Sequence, residues 1–74
     1  MGRLRRLSGR AVCEILRAHG FTAVRQRGSH IVMQRLSAEG STTVPVPDHA
    51  EIRVGTLASI IRQSGVPRAA FETE

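Results

Sequence analysis

Residues 21–35, Phe21-Thr22-Ala23-Val24-Arg25-Gln26-Arg27-Gly28-Ser29-His30-Ile31-Val32-Met33-Gln34-Arg35, decide how this chain folds. Phe21 to Arg27 reads with a period of two, and His30 to Arg35 repeats that period after Gly28-Ser29. Two such runs joined by a two-residue, glycine-containing turn form the pattern of a β-hairpin. In the first run Val24 is expected to face inward, with Arg25 and Arg27 outward. In the second, Ile31 and Met33 share one face, which places His30, Val32 and Gln34 on the other. With Ile31 and Met33 against a core, His30 looks away from it, on the side of Arg25 and Arg27.

Working outward, the period changes to that of a helix. Before the hairpin, Val12, Ile15, Leu16 and His19 recur at helical spacing and predict a helix over residues 8–19. Ser8 is its N-cap and Gly20 the residue beyond its end. Arg10, Glu14 and Arg17 fall on its outer side, and His19, ending the apolar stripe, reads as a structural residue favoured by the helix dipole. After the hairpin, residues 36–40 read as a polar loop and residues 41–47 as a third strand. Pro45 and Pro47 cannot donate ladder hydrogen bonds, which makes that strand an edge. Residues 48–51 lead to a second helix over residues 54–64, where Leu57, Ile60, Ile61 and Ser64 repeat and Gly65 and Pro67 terminate. A last turn is expected at residues 67–71.

The order α-β-β-β-α implies an α+β fold, a three-stranded antiparallel sheet with two helices packed on one face. Residues 1–74 are expected to make one domain, with 1–6 and 68–74 peripheral or frayed. Each helix brings only three or four large apolar residues, so the core is thin and a bound partner is expected to raise apparent stability.

The charge distribution narrows the function classes. Residues 1–37 hold eight arginines against Glu14 alone, whereas residues 38–74 hold three arginines against five acids. The asymmetry points to a polyanion-facing surface built from the first half. All 11 basic residues are arginine, which grips phosphate in a bidentate way that lysine does not. Two phenylalanines with no tyrosine or tryptophan argue against a binder that relies on aromatic stacking platforms. The lone Cys13 allows no internal disulfide and reads as a small, partly buried apolar residue. No apolar run approaches the roughly 20 residues of a membrane span. The basic start is followed by no long apolar segment, so neither a signal peptide nor a membrane association is expected, and a cytoplasmic location is.

Within that frame, His30 places an imidazole beside two guanidiniums and a flexible turn. RNA cleavage through the ribose 2′-hydroxyl needs a group to move protons and cations to hold the phosphate. His30 is therefore the candidate acid or base, Arg25 and Arg27 the candidate phosphate contacts, and Gly28 a site of close backbone approach. Ser29 either completes the turn or orients the imidazole. His49 is a possible second site residue, supplying a complementary acid or stabilising the loop before the last helix. Cys13 and His30 belong to opposite sides of the sheet, so no zinc site with His49 is expected, and no cofactor is implied. Two other classes stay open on the residues alone. One is a non-catalytic RNA-binding module, in which His30 is incidental. The other is an interaction domain whose basic face meets an acidic protein.

Several strings, taken together and in order, carry a resemblance. They are Gly20-Phe21, Arg25-Gln26-Arg27-Gly28-Ser29-His30, Val46-Pro47-Asp48-His49, Gly55-Thr56-Leu57 and Ile60-Ile61-Arg62-Gln63-Ser64-Gly65. Over about residues 7–66 the chain resembles the HicA-type mRNA interferase toxins. The resemblance implies a fold like that of double-stranded-RNA-binding domains. It also implies an endoribonuclease that cleaves mRNA and arrests translation, neutralised by a HicB-type antitoxin. Carried onto this chain, the catalytic histidine is His30, with Gly28 and Ser29 in the same motif. Ala11 departs from the charged residue relatives often carry there, which bears on the helix surface. The second helix offers only Arg62 in place of the lysine cluster of a duplex binder. Weak sequence preference and no duplex specificity are therefore expected.

Overall fold

A central strand, flanked on both sides by antiparallel neighbours, organises the molecule. The computed structural model describes residues 2–73. In chain order the elements are β1 (Arg3–Leu4), α1 (Gly9–Ala18), β2 (Thr22–Arg27), β3 (His30–Ser37), β4 (Gly40–Pro47), α2 (Val54–Ser64), a 3-10 turn (Arg68–Phe71) and β5 (Glu72–Thr73). The main sheet runs β2-β3-β4, so both proline-bearing β4 and β2 are edges. Two helices and this antiparallel sheet make the α+β arrangement expected from the sequence. The hydrophobic core includes Val12, Cys13 and Leu16 of α1, Met33, Val44 and Val46 of the sheet, and Leu57 and Ile60 of α2.

Local chemistry sets the helix limits. The Ser8 hydroxyl accepts from the Ala11 N–H at 3.1 Å, which caps α1, and Gly65 takes a left-handed φ of 71° to end α2. Glu14 and Arg17 pair across one turn of α1, and Arg10 reaches Asp48 at 3.3 Å. Both pairs lie at the surface and contribute little on their own. Burial of Cys13 pushes its thiol above the ordinary range, so the sulfur behaves as a small apolar group.

α1 starts directly against the end of β4. The Gly9 N–H donates to the His49 carbonyl at 2.9 Å, and the Ile52 N–H donates to the Leu7 carbonyl at 2.7 Å. A Cβ added at Gly9 would overlap the Pro47 carbonyl oxygen, so only glycine permits this approach. At the opposite end, Arg35 donates to the His19 carbonyl at 3.3 Å and to the Ser64 carbonyl at 3.2 Å, with its guanidinium 4.7 Å from the centre of the Phe21 ring.

Four expectations are corrected. Val24 does not face inward. The ladder shifts between Ala23 and Arg25, so Ala23 opposes Met33 and Val24 bulges out to 48% exposure. Residues 36–40 are not a loop: β3 continues to Ser37 and β4 begins at Gly40, leaving a two-residue turn. The chain ends are not frayed over the described residues. Phe71 is fully buried, and Arg3–Leu4 pairs antiparallel with Glu72–Thr73. Met1 and Glu74, which belong to the expected peripheral segments, lie outside the described residues. Finally, His19 is exposed and does not continue the apolar stripe; its carbonyl, and not its ring, takes part in holding the fold.

The Gly9 approach generates a test of sign. Alanine normally favours a helix over glycine by up to ~1 kcal/mol. Gly9→Ala is expected instead to destabilise by about 1–3 kcal/mol through overpacking, read as a lower urea midpoint at unchanged slope. An unchanged or higher midpoint would contradict the packing described.

Candidate functional site

The turn between β2 and β3 is two residues long, with Arg27 opposite His30. Gly28 takes a φ of 59°, while no non-glycine residue among those described has a positive φ, which is the pattern of a type II′ turn. A Cβ at Gly28 would meet nothing within 4 Å. Gly28 is therefore needed for its backbone conformation, and the space beside it is open. The Ser29 carbonyl accepts from the Asp48 N–H at 2.6 Å, tying the turn to the segment after β4. Among the described residues the Ser29 hydroxyl has no partner, so the turn role stands and the imidazole-orienting contact is not formed.

The register then lays the candidate side chains in rows across the sheet. One row is Arg27, His30 and Pro47; the next is Arg25, Val32 and Pro45. Directly opposed residues share a face, so both rows lie on the side away from the helices. There, Arg25, Arg27, His30, Val32, Thr43 and Pro45 line an open hollow of 420 Å³. Arg25, Arg27 and His30 are exposed, and among the described residues no carboxylate comes within ion-pair distance of either arginine. Several other arginines of the basic half are engaged elsewhere. Arg10 and Arg17 are paired with acids, and half-buried Arg35 is bonded to the carbonyls of His19 and Ser64. Of the remaining arginines of that half, Arg3, Arg5 and Arg6 lie exposed near the start of the chain, and Arg25 and Arg27 stand unpaired beside the imidazole.

His49 is not part of this group. It is exposed and lines a separate hollow with Pro47, Glu51, Ile52, Arg53 and Thr56. The two hollows share no residue. What fixes the loop is the His49 carbonyl, through its bond from Gly9. Cys13, His30 and His49 do not converge, and no cluster of three metal-ligating side chains occurs among the described residues.

Val32, Thr43 and Pro45 were not singled out by sequence. Alternation places Val32 on the His30 face, but gives no sign that it is sunk to 6% exposure. Asp48 was missed as well, and its double attachment, to Arg10 and to Ser29, is non-local.

A sequence model describing the HicA toxin of bacterial toxin–antitoxin systems matches residues 9–66. The chain belongs to the HicA toxin family. The matched stretch runs from the first residue of α1 through the sheet and α2 to Val66, and includes the whole hollow. No curated protein compared with the chain gives a significant match. As a HicA toxin the protein is one half of a toxin–antitoxin system and has an antitoxin as its partner. No helix of the described residues is long and apolar enough to cross a membrane.

The unpaired cations yield a quantitative expectation. Each phosphate contact on a single strand contributes ~0.7 to the slope of log affinity against log salt concentration. Replacing both Arg25 and Arg27 by alanine is expected to lower the slope for single-stranded RNA by about 1.4, measured by fluorescence anisotropy. An unchanged slope would place polyanion binding on another face.

Proposed function

We propose that this HicA toxin is a metal-independent endoribonuclease that cleaves mRNA, with His30 as its acid or base. The observation that carries the reading is the common hollow of His30, Arg25 and Arg27 on an uncovered sheet face. The ribose 2′-oxygen attacks the adjacent phosphorus and gives up its proton as the new P–O bond forms. The bond from phosphorus to the 5′-oxygen breaks, and that oxygen leaves carrying a proton. The products are a 2′,3′-cyclic phosphate and a 5′-hydroxyl end. His30 accepts the first proton or donates the second, and water completes the exchange. Arg25 and Arg27 hold the phosphate and offset the charge that builds on its oxygens. A lone exposed imidazole with no hydrogen-bonded carboxylate among the described residues suits a modest catalyst.

The same surface suits inhibition. A HicB-type antitoxin that lays acidic side chains against Arg25 and Arg27 would cover His30 and exclude RNA together. Inhibition with RNA access retained would count against occlusion. A purely RNA-binding or purely protein-binding role uses the same arginines but gives His30 no work, and the test separates them.

His30→Gln is expected to fold with unchanged thermal stability, since the residue is exposed. It is expected to lose RNA cleavage by roughly 10²–10⁴-fold in EDTA, together with growth arrest on expression. Cleavage and arrest equal to the wild type would leave a binding module and remove the ribonuclease.

A further inference from the structure

The solvent face of the sheet contains an anomaly. Val32 is only 6% exposed, yet it lies outside the contiguous core cluster between sheet and helices. No helix among the described residues covers its side of the sheet. It lies at the bottom of the hollow, with Arg25 opposite it on one neighbouring strand and Pro45 on the other. A hollow built only to hold phosphate has no use for an apolar floor, which offers no donor to an anion.

We propose that Val32 and Pro45 form the floor of a nucleobase subsite, and that the substrate is single-stranded RNA with one base unstacked into this hollow. The proposal rests on the reading of the hollow as the RNA-cleaving site. The two cross-strand rows divide the work. The row containing Arg27 and His30 meets phosphate and ribose, and the row containing Val32 and Pro45 receives the base. Residues two apart on a strand lie roughly 7 Å apart, about the reach from a phosphate to the base of the same nucleotide. The hollow's 420 Å³ falls within the range of small-ligand pockets.

Arg25, opposite Val32, stands between the two rows, where the N–H edge of its guanidinium can hold the phosphate while its plane covers the exposed face of a base. Thr43 provides the one neutral polar group of the lining. Its hydroxyl oxygen accepts from the Gln34 side-chain amide at 3.4 Å, which leaves its hydrogen to donate to an acceptor on the base edge. With no aromatic ring in the floor, any base fits and discrimination is slight. A base paired within a duplex is held in the stack and cannot enter, so single strands are selected without a sequence code.

The test uses wild-type protein and uncleavable 2′-O-methyl pentanucleotides of each of the four bases, compared with an all-abasic pentamer of equal charge. At least one base-bearing pentamer is expected to bind about tenfold more tightly than the abasic one, the equivalent of about 1.4 kcal/mol. The methyl resonances of Val32 and Thr43 are expected to shift with bases and not with the abasic chain. Val32→Thr keeps the side chain's shape but makes the floor polar. It is expected to close the gap while leaving abasic binding unchanged, and that unchanged binding also certifies the fold. Equal binding of intact and abasic pentamers overturns the proposal and marks the hollow as a charge-only surface, of the kind an acidic protein segment would also use. A base-dependent gap untouched by Val32→Thr overturns it by placing the base elsewhere. Cleavage of all-ribose RNA by wild type and His30→Gln is read separately. Base-dependent binding without cleavage keeps the subsite and removes the ribonuclease, whereas cleavage with equal binding removes the subsite alone.

Discussion

One arginine joins the parts of this small fold. Arg35, on the inner face of the central strand, reaches the carbonyl of His19 at the end of α1 and that of Ser64 at the end of α2. Both helices end with unsatisfied carbonyls and negative dipole ends, and a single guanidinium serves the two at once. Its charge also lies over the Phe21 ring. With so few large side chains to bury, the helices depend on such directed attachments at their C-terminal ends and on the Gly9–Pro47 approach at the N-terminal end of α1. Both sets of attachments act on the inner face of the sheet. Among the described residues no helix covers the outer face, where the candidate site lies.

The same three strands therefore serve two tasks with opposite demands. Their inner residues, Ile31, Met33, Val44 and Val46, hold the protein together. Their outer residues, Arg25, Arg27 and His30, remain solvated and unpaired, and in the proposed function they are the groups that meet RNA and the antitoxin. The tight turn couples the two, because the register that opposes Arg27 to His30 also sets which residues face the core. A one-residue slip would exchange the faces and lose both fold and site together.

Much of this was legible in the sequence where the signal is local. The helix from Val54 to Ser64 follows from its apolar spacing and its terminal Gly65. The hairpin follows from Gly28-Ser29 between alternating runs, and that reading already placed His30 with Arg25 and Arg27. What escaped is non-local. Strict alternation puts Val24 over Met33, and only the bulge puts Ala23 there instead. The two-residue strands at the chain ends carry no pattern of their own, since each exists only because the other is beside it. Arg35 counts toward a basic surface until the fold turns it onto the ends of both helices. Alternation likewise tells which face Val32 occupies, but depth depends on the neighbours that surround it.

The central claim is that an imidazole on an open sheet face drives attack by the ribose 2′-hydroxyl on its own phosphate. The chemical ends of the cleaved RNA test it most directly. The account requires 5′-hydroxyl ends, 2′,3′-cyclic phosphate or its hydrolysis products at the other end, and no cleavage where the 2′-position is deoxy. Ends bearing 5′-phosphate and 3′-hydroxyl, or cutting at a deoxy position, would show that water attacks the phosphorus and would contradict it.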